Sequence, residues 1–163
     1  MKKIKLGIIG VGNMGTGHIK HILEGKTPNV ELVAVADRLV NRRKWAKDNL
    51  PENVKIYSEG TDLLDSKACN AVLIATPHYQ HPELSIYAFD KNIHVLCEKP
   101  AGVYTKQVRQ MNEEAEKSDL VFAMMFNQRT DSVYRKMKEL VSSGELGAIK
   151  RVNWIITDWY RTQ

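Results

Sequence analysis

Apolar runs alternate with amphipathic segments along most of the 163-residue chain. The run at 71–75 is apolar throughout, which is typical of a strand buried on both faces of a sheet. The predicted strands span residues 4–9, 30–36, 55–57, 71–75, 93–97 and 120–125. The predicted helices span residues 14–24, 39–49, 82–90, 105–118 and 131–143, with a helical turn near 62–64. Because strands and helices alternate, we expect an α/β fold with a doubly wound parallel sheet and helices on both faces.

The alternation of strands and helices ends near Gly147. Val152, Trp154 and Ile156 lie two positions apart within residues 148–158, which predicts a strand with one buried face. No element follows on which this strand could pack, so we expect it to belong to a further sheet. The expected segments are a main domain at 1–126, a connecting helix at 127–147 and the first strand of a truncated C-terminal α+β domain at 148–163.

The composition is typical of a globular protein, with 43% hydrophobic and 26% charged residues. No apolar run approaches the roughly 20 residues of a membrane span, so we expect no membrane partner. The two cysteines, Cys69 and Cys97, form neither a CxxC pair nor a metal-ligand spacing. Free thiols of this kind suit a reducing compartment, and we expect a cytoplasmic location.

The net charge is +5, and the basic residues include one cluster, Arg42-Arg43-Lys44. The cluster lies on the helix predicted for 39–49, where a solvated helix face is the simplest interpretation. The alternative is attraction for the phosphate of an anionic ligand. We expect no nucleic-acid partner, because aromatic side chains are not interleaved with the basic ones.

Three glycines follow the first predicted strand at once: Gly10, Gly12 and Gly15. Their G-x-G-x-x-G spacing, between a strand and a helix, is that of dinucleotide-binding folds. The first glycine permits a sharp turn out of the strand, the second lets a pyrophosphate approach the backbone, and the third lets the helix pack closely. The free N–H groups at the start of the helix then face the phosphates. The loop residues expected to contact the cofactor are Gly10, Val11, Gly12, Asn13, Met14 and Gly15.

The second predicted strand ends in an acid, Asp37, where such folds place the carboxylate that holds a ribose 2′-hydroxyl. A carboxylate there repels a 2′-phosphate, so we expect NAD as the cofactor. NADP is the alternative, because Arg38 is adjacent and Arg42 and Arg43 lie one turn further on. These guanidinium groups could stack on adenine or bind a phosphate.

Polar residues also follow two later strands. Thr76-Pro77-His78 follows the strand at 71–75, and His81 lies just beyond it. Glu98-Lys99-Pro100 follows the strand at 93–97. Open parallel sheets bind ligands at the carboxyl ends of their strands, so we expect both segments to border the ligand cleft.

With these motifs in this order, the sequence resembles the glucose-fructose oxidoreductase, inositol dehydrogenase and MocA family of NAD(P)-dependent oxidoreductases. Their N-terminal domain has the Rossmann fold. The resemblance covers the whole chain. The residues that carry it are Gly10-Val11-Gly12-Asn13-Met14-Gly15, Asp37, Ala75-Thr76-Pro77, His81, Glu98-Lys99-Pro100 and Gly144-Glu145-Leu146-Gly147.

The resemblance implies that Lys99 is catalytic: it would contact the substrate hydroxyl and the nicotinamide ribose and assist proton transfer. Glu98 is expected at the nicotinamide ribose. A cis peptide before Pro100 is expected to aim Lys99 into the cleft. His78 and His81 are expected to line the cofactor cleft. Ala75, Thr76 and Pro77 are expected to contact the cofactor as well.

The family's main acid/base histidine lies in its second domain, and this sequence has no convincing counterpart. Asn127 follows a strand end, and on the basis of this position alone we expect it to reach the nicotinamide side of the cleft. His18 and His21 are expected to serve in helix packing. We expect no metal site, because no third ligand cluster accompanies either histidine pair.

We therefore expect the NAD(P)-binding domain of an enzyme that transfers hydride between a nicotinamide and a carbinol carbon of a sugar, inositol or related polyol. The isolated chain is expected to bind cofactor but to turn over poorly, and the full-length form to be a homo-oligomer. The alternative is a non-catalytic NAD(H)-binding regulatory module that acts through a partner. The apolar strand at 148–158 favours it as an edge for pairing, whereas Glu98-Lys99-Pro100, for which a sensor has no use, opposes it.

Overall fold

The apolar runs of the sequence form the strands of one sheet, and the amphipathic segments between them form its helices. The structure is a computed structural model that describes residues 3–155 and 157, and the chain divides into two units, at 1–125 and 126–163. The elements of the first unit are β1 (Ile4–Ile9), α1 (Asn13–Leu23), β2 (Val30–Ala36), α2 (Val40–Asn49), β3 (Lys55–Tyr57), α3 (Gly60–Asp65), β4 (Ala71–Ile74), α4 (His81–Asp90), β5 (His94–Cys97), α5 (Thr105–Glu116) and β6 (Phe122–Met124).

The strands pair in parallel in the order β3-β2-β1-β4-β5-β6. In the middle of the sheet Ile8 of β1 lies opposite Val35 of β2 and Leu73 of β4. The chain leaves β1 toward one edge and later returns to its other side with β4. This order confirms the predicted doubly wound Rossmann fold. The reversal between β1 and β4 is the point at which such sheets open a ligand crevice.

Both faces of the sheet are buried, because the central strands are apolar at successive positions. Side chains of neighbouring strand positions point to opposite faces, so Ile8 and Ile9 belong to different clusters. The cluster that includes residues of α3, α4 and α5 contains Ile9, Ile74, Leu64, Ala88 and Met111. The cluster that includes residues of α1 and α2 contains Ile8, Leu73, Ile19 and Ala46. Helices on both faces thus confirm the second half of the fold prediction.

The second unit contains a 3-10 turn, Asn127–Arg129, and a helix, α6 (Ser132–Ser142). Asp131 caps this helix: its carboxylate accepts the backbone N–H groups of Val133 and Tyr134 at 2.9 and 3.2 Å. The cap satisfies donors that lack partners inside the helix, which explains why the helix starts here.

The predicted strand at 148–158 is not formed over residues 148–155 and 157, which have no regular secondary structure. A strand is stable only when its N–H and C=O groups pair with a neighbouring strand, and the described residues supply none for this segment. Residue 156 and residues 158–163 lie outside the described part of the chain. That residues 148–163 begin a further domain therefore stays a prediction.

The thiol of Cys97, at the end of β5, is fully buried, and this burial raises its pKa from 9.0 to about 12. The folded chain keeps the thiol protonated where the unfolded chain loses the proton. We therefore expect the stability to fall as pH rises from 9.0 toward about 12. Iodoacetamide at a pH of about 8.5 should label Cys97 only in denaturant. Peptide mass spectrometry checks this, and labelling of the native chain would contradict it.

Candidate functional site

A cavity of about 630 Å³ opens in the first unit at the carboxyl ends of the strands. Its volume lies within the range of roughly 300–1,000 Å³ that is usual for ligand cavities. Residues from the loops after β1, β2, β3 and β4 line it, so it occupies the crevice that the strand order creates. The predicted site residues that line it are Gly10, Gly12, Asp37, Arg38, Ala75, Thr76 and Pro77.

The three loop glycines have different structural roles. Gly10 has a φ of +97°, and a Cβ placed there would lie 2.6 Å from the carbonyl oxygen of Ala75. A Cβ at Gly15 would collide with the carbonyl oxygen of Gly10, so this glycine lets α1 pack against the loop. A Cβ at Gly12 would meet no atom within 4 Å. The open space over Gly12 is therefore available to a ligand, as the pyrophosphate hypothesis requires.

The carboxylate of Asp37 fastens the end of β2 to the glycine loop. Its Oδ2 accepts the N–H of Val11 at 2.7 Å, and its Oδ1 accepts the N–H of Leu39 at 2.9 Å. Each carboxylate oxygen has a second lone pair, so Asp37 can still accept hydrogen bonds from ribose hydroxyls at the cavity. Asp37 thus lies at the cavity, as the sequence predicts, and two backbone N–H groups fix the orientation of its carboxylate.

The three arginines considered for phosphate binding are not equivalent. Arg43 donates to the carbonyl oxygens of Asp37 and Arg38 at 2.8 and 2.7 Å and so holds the turn before α2. The Nε of Arg38 donates to Oε2 of Glu59 at 2.7 Å. Arg42 lines the cavity. Glu59 was missed in the sequence analysis, although its position just after β3 could have revealed it by the same carboxyl-end rule.

Glu98 is buried, with 5% of its surface exposed, and its carboxylate is paired with His18. The Nε2 of His18 lies 2.7 Å from Oε1 of Glu98. The sequence analysis assigned His18 only to helix packing, and this assignment missed the contact. His18 lies one turn beyond Gly15 on α1, a spacing that could have indicated its proximity to the loop. The pair joins α1 to the segment that carries the predicted catalytic lysine.

His81 does not line the cavity, contrary to the expectation for it. The side chain is buried, with 1% of the residue exposed, and lies between two loops. Its Nδ1 lies 2.8 Å from the carbonyl oxygen of Pro100, and its Nε2 lies 2.8 Å from that of Thr76. A carbonyl oxygen only accepts hydrogen bonds, so a ring nitrogen that carries a hydrogen donates to the carbonyl oxygen of Thr76 or of Pro100.

The remaining predicted residues lie outside the cavity lining. Lys99 is exposed at the end of β5, and the Lys99–Pro100 peptide bond is cis, as the resemblance implied. His78 is exposed in a 3-10 turn, His78–Gln80, and Asn127 belongs to the second unit. The others are Val11, Asn13, Met14, Gly15, Glu98 and His81. Contact of any predicted residue with a cofactor stays a prediction.

No helix within residues 3–155 and 157 has both the length and the apolar character that a membrane span requires. In the same part of the chain, no group of three or more His, Cys, Asp or Glu side chains is placed to hold a metal ion.

The sequence profile of GFO_IDH_MocA, an oxidoreductase family with an NAD-binding Rossmann fold, matches residues 4–126. The chain is 30% identical over 145 residues to an inositol 2-dehydrogenase of Salmonella typhimurium, covering 88% of this chain and 43% of that protein. It is similar to the crystal structure of myo-inositol 2-dehydrogenase from Lactobacillus plantarum, with a TM-score of 0.84 and 33% identity over 91% of this chain and 43% of that one. For scyllo-inositol dehydrogenase from Lactobacillus casei with bound NAD(H) and scyllo-inositol, the TM-score is 0.83 and the identity 29%, over 90% of this chain and 43% of that one. The chain spans less than half the length of these relatives.

Proposed function

This chain belongs to the GFO_IDH_MocA family of oxidoreductases, and from that premise we propose that it is the cofactor-binding part of an NAD-dependent dehydrogenase. The substrate we propose is inositol or a related polyol or sugar, because the three relatives described above, which are 29–33% identical to this chain, are named as inositol dehydrogenases. The observation that carries the proposal is the cavity between β1 and β4. It combines the open space over Gly12 with the carboxylate of Asp37.

The cavity residues suit the pyrophosphate and the adenosine ribose of an adenine dinucleotide. The space over Gly12, next to the first N–H groups of α1, suits a pyrophosphate because backbone donors and the positive end of the helix dipole face it. Asp37 suits the ribose hydroxyls as an acceptor. When bound, NAD supplies the hydride acceptor. The loop residues bind and orient it, and none of them needs to change its protonation state.

Lys99 is the residue we propose for the reacting centre. Its ammonium group, exposed at the end of β5, can donate a hydrogen bond to a substrate hydroxyl and stabilise the alkoxide that forms as the hydroxyl proton leaves. The neighbouring Glu98 is held by His18, which fixes the backbone from which Lys99 projects. The main acid/base histidine of the family is expected outside residues 1–163. We therefore propose that this chain alone binds cofactor and turns over poorly.

A regulatory module that binds NAD(H) and acts through a partner is the second candidate. The observation that favours it lies in the second unit, where Val152 and Ile155 are 74% and 85% exposed. Exposed apolar side chains of this size are often contact sites. Assembly of the full-length form as a homo-oligomer and a cytoplasmic location stay predictions.

Calorimetric titration of the 163-residue chain with NAD and NADP tests the proposal. We expect saturable NAD binding that weakens by about tenfold or more in Asp37→Ala, because the ribose loses a charged acceptor. Asp48→Ala removes a matched carboxylate from the exposed face of α2, where it pairs with Lys44, and should leave NAD binding unchanged. Absence of NAD binding would contradict the cofactor assignment. Oxidation of inositol by this chain at ordinary enzyme rates would contradict the expected poor turnover.

A further inference from the structure

We propose that Glu59 determines cofactor specificity: it holds Arg38 in an ion pair and thereby keeps the cavity selective for NAD over NADP. The inference rests on the proposed function, since it concerns the adenosine end of the same cavity. Glu59 follows β3, and it would add to the preference for NAD that the sequence analysis assigned to Asp37 alone.

Sheet pairing brings these residues together. Ala36 at the end of β2 lies opposite Tyr57 at the end of β3, and the N–H of Asp37 donates to the carbonyl oxygen of Tyr57 at 3.2 Å. The two strands therefore end side by side, and the next residues of each reach the cavity. The Nε of Arg38 donates to Oε2 of Glu59 at 2.7 Å, and both residues line the cavity.

The ion pair removes the feature that a 2′-phosphate requires. A guanidinium group binds a phosphate through paired N–H donors and its positive charge. In Arg38 the Nε–H is already used by Glu59, whose carboxylate also offsets the positive charge. The same carboxylate raises the pKa of Arg38 through this hydrogen bond. A 2′-phosphate at this end of the cavity would be repelled by the carboxylates of Asp37 and Glu59. Arg38 could not compensate for this repulsion, because it is already paired with Glu59.

The pair is not needed to hold the fold. The side chain of Arg38 is exposed and that of Glu59 is partly exposed, and ion pairs in contact with solvent contribute little to stability. Glu59 precedes α3 as its N-cap residue, yet its side chain makes no capping hydrogen bond. A Glu59→Gln variant should therefore fold, and its effect on cofactor binding can be measured directly.

A second arginine at the cavity would act together with a released Arg38. Arg42 lines the same cavity, and within residues 3–155 and 157 no carboxylate lies within ion-pair distance of it. Arg43 is excluded from this role, because its guanidinium is bound to backbone carbonyl oxygens. Loss of Glu59 thus leaves two guanidinium groups for one phosphate.

Calorimetric titration of Glu59→Gln with NADP and NAD at fixed low salt tests the proposal. We expect NADP binding to tighten by about tenfold and NAD binding to change by less than about twofold, because only NADP gains a charge-assisted contact. Glu52→Gln makes the same charge change on a loop that does not line the cavity and should leave both affinities unchanged. The double variant Glu59→Gln/Arg38→Ala should lose the gain in NADP affinity.

Each alternative outcome has a distinct meaning. If the wild-type chain binds NAD and Glu59→Gln leaves NADP binding unchanged, this inference fails and the proposed function stands. A gain that persists in the double variant would overturn the role of Arg38.

The single variant Arg38→Ala gives an independent check. In the wild type Arg38 is paired with Glu59 and contributes little to NADP binding, so its loss should barely change the NADP affinity. A tenfold loss of NADP affinity would overturn the proposal. If the wild type binds neither cofactor, both proposals fail.

Discussion

Replacing Gly12 with alanine is expected to leave the fold intact while weakening NAD binding about 10- to 100-fold, which is about 1.4–2.8 kcal/mol. Gly12 has a φ of −81°, which any residue can adopt, and an added Cβ would meet no protein atom within 4 Å. The methyl group would instead occupy the space that we assign to the pyrophosphate.

Replacing Gly15 with alanine is expected to destabilise the fold in the first place and to weaken NAD binding only as a consequence. The added Cβ would collide with the carbonyl oxygen of Gly10, which is backbone and cannot rotate away. Helix α1 would have to shift from the loop, and we expect a loss of about 3 kcal/mol or more in the free energy of unfolding. NAD binding would then be lost as a consequence of the distorted loop.

Urea denaturation and NAD titration of both variants test this contrast. Gly17→Ala is the matched control within α1, because an added Cβ there also meets no atom within 4 Å. A helix-interior alanine should stabilise the chain by about 0.5–1 kcal/mol and leave NAD binding unchanged. Equal destabilisation by Gly12→Ala and Gly15→Ala would show that the loop glycines do not have the separate roles assigned to them.

Replacing His81 with phenylalanine is expected to lower the free energy of unfolding by about 2–4 kcal/mol. Phenylalanine retains a buried ring but has no N–H group. The carbonyl oxygens of Thr76 and Pro100 each lie 2.8 Å from a ring nitrogen, and the hydrogen bond that the ring N–H donates to them would be lost. We also expect weaker NAD binding, because Thr76 lines the cavity and its loop would no longer be held.

Thermal and urea unfolding, followed by NAD titration, measure both effects of the His81 change. His78→Phe is the control for stability, since His78 is an exposed histidine in the neighbouring turn and its replacement should leave the free energy of unfolding unchanged. The assigned role of His81 would be wrong if the two variants were equally stable. It would also be wrong if His81→Phe lost stability but bound NAD as tightly as the wild type.

Single contacts of side chains join the loops at the carboxyl end of the sheet. Except for the contact of His81 with Thr76, which lies within the segment after β4, each contact links segments that follow different strands. The contacts are Glu59 to Arg38, Asp37 to Val11, His18 to Glu98, and His81 to Thr76 and Pro100. Six of these residues are charged or can be charged by a proton, and polar contacts of this kind specify position more than they add stability.

The sequence by itself determined the elements and the glycine loop, because both depend on local patterns. Apolar runs, their spacing and the residues that follow them identified the strands, although β6 spans Phe122–Met124 and is shorter than the predicted 120–125. Gly10, Gly12 and Asp37 were identified in the same way, since their roles follow from backbone geometry at strand ends.

Only the tertiary structure decided which side chains meet across those ends. His18 and Glu98 are 80 positions apart in the sequence, and Arg38 and Glu59 are 21 apart, so their contacts depend on strand order and side-chain reach. The strand predicted at 148–158 also depends on tertiary structure, and in this case the predicted element does not form over the described residues. Its alternating pattern is local, but a strand forms only against a partner, and within residues 3–155 and 157 no segment pairs with it.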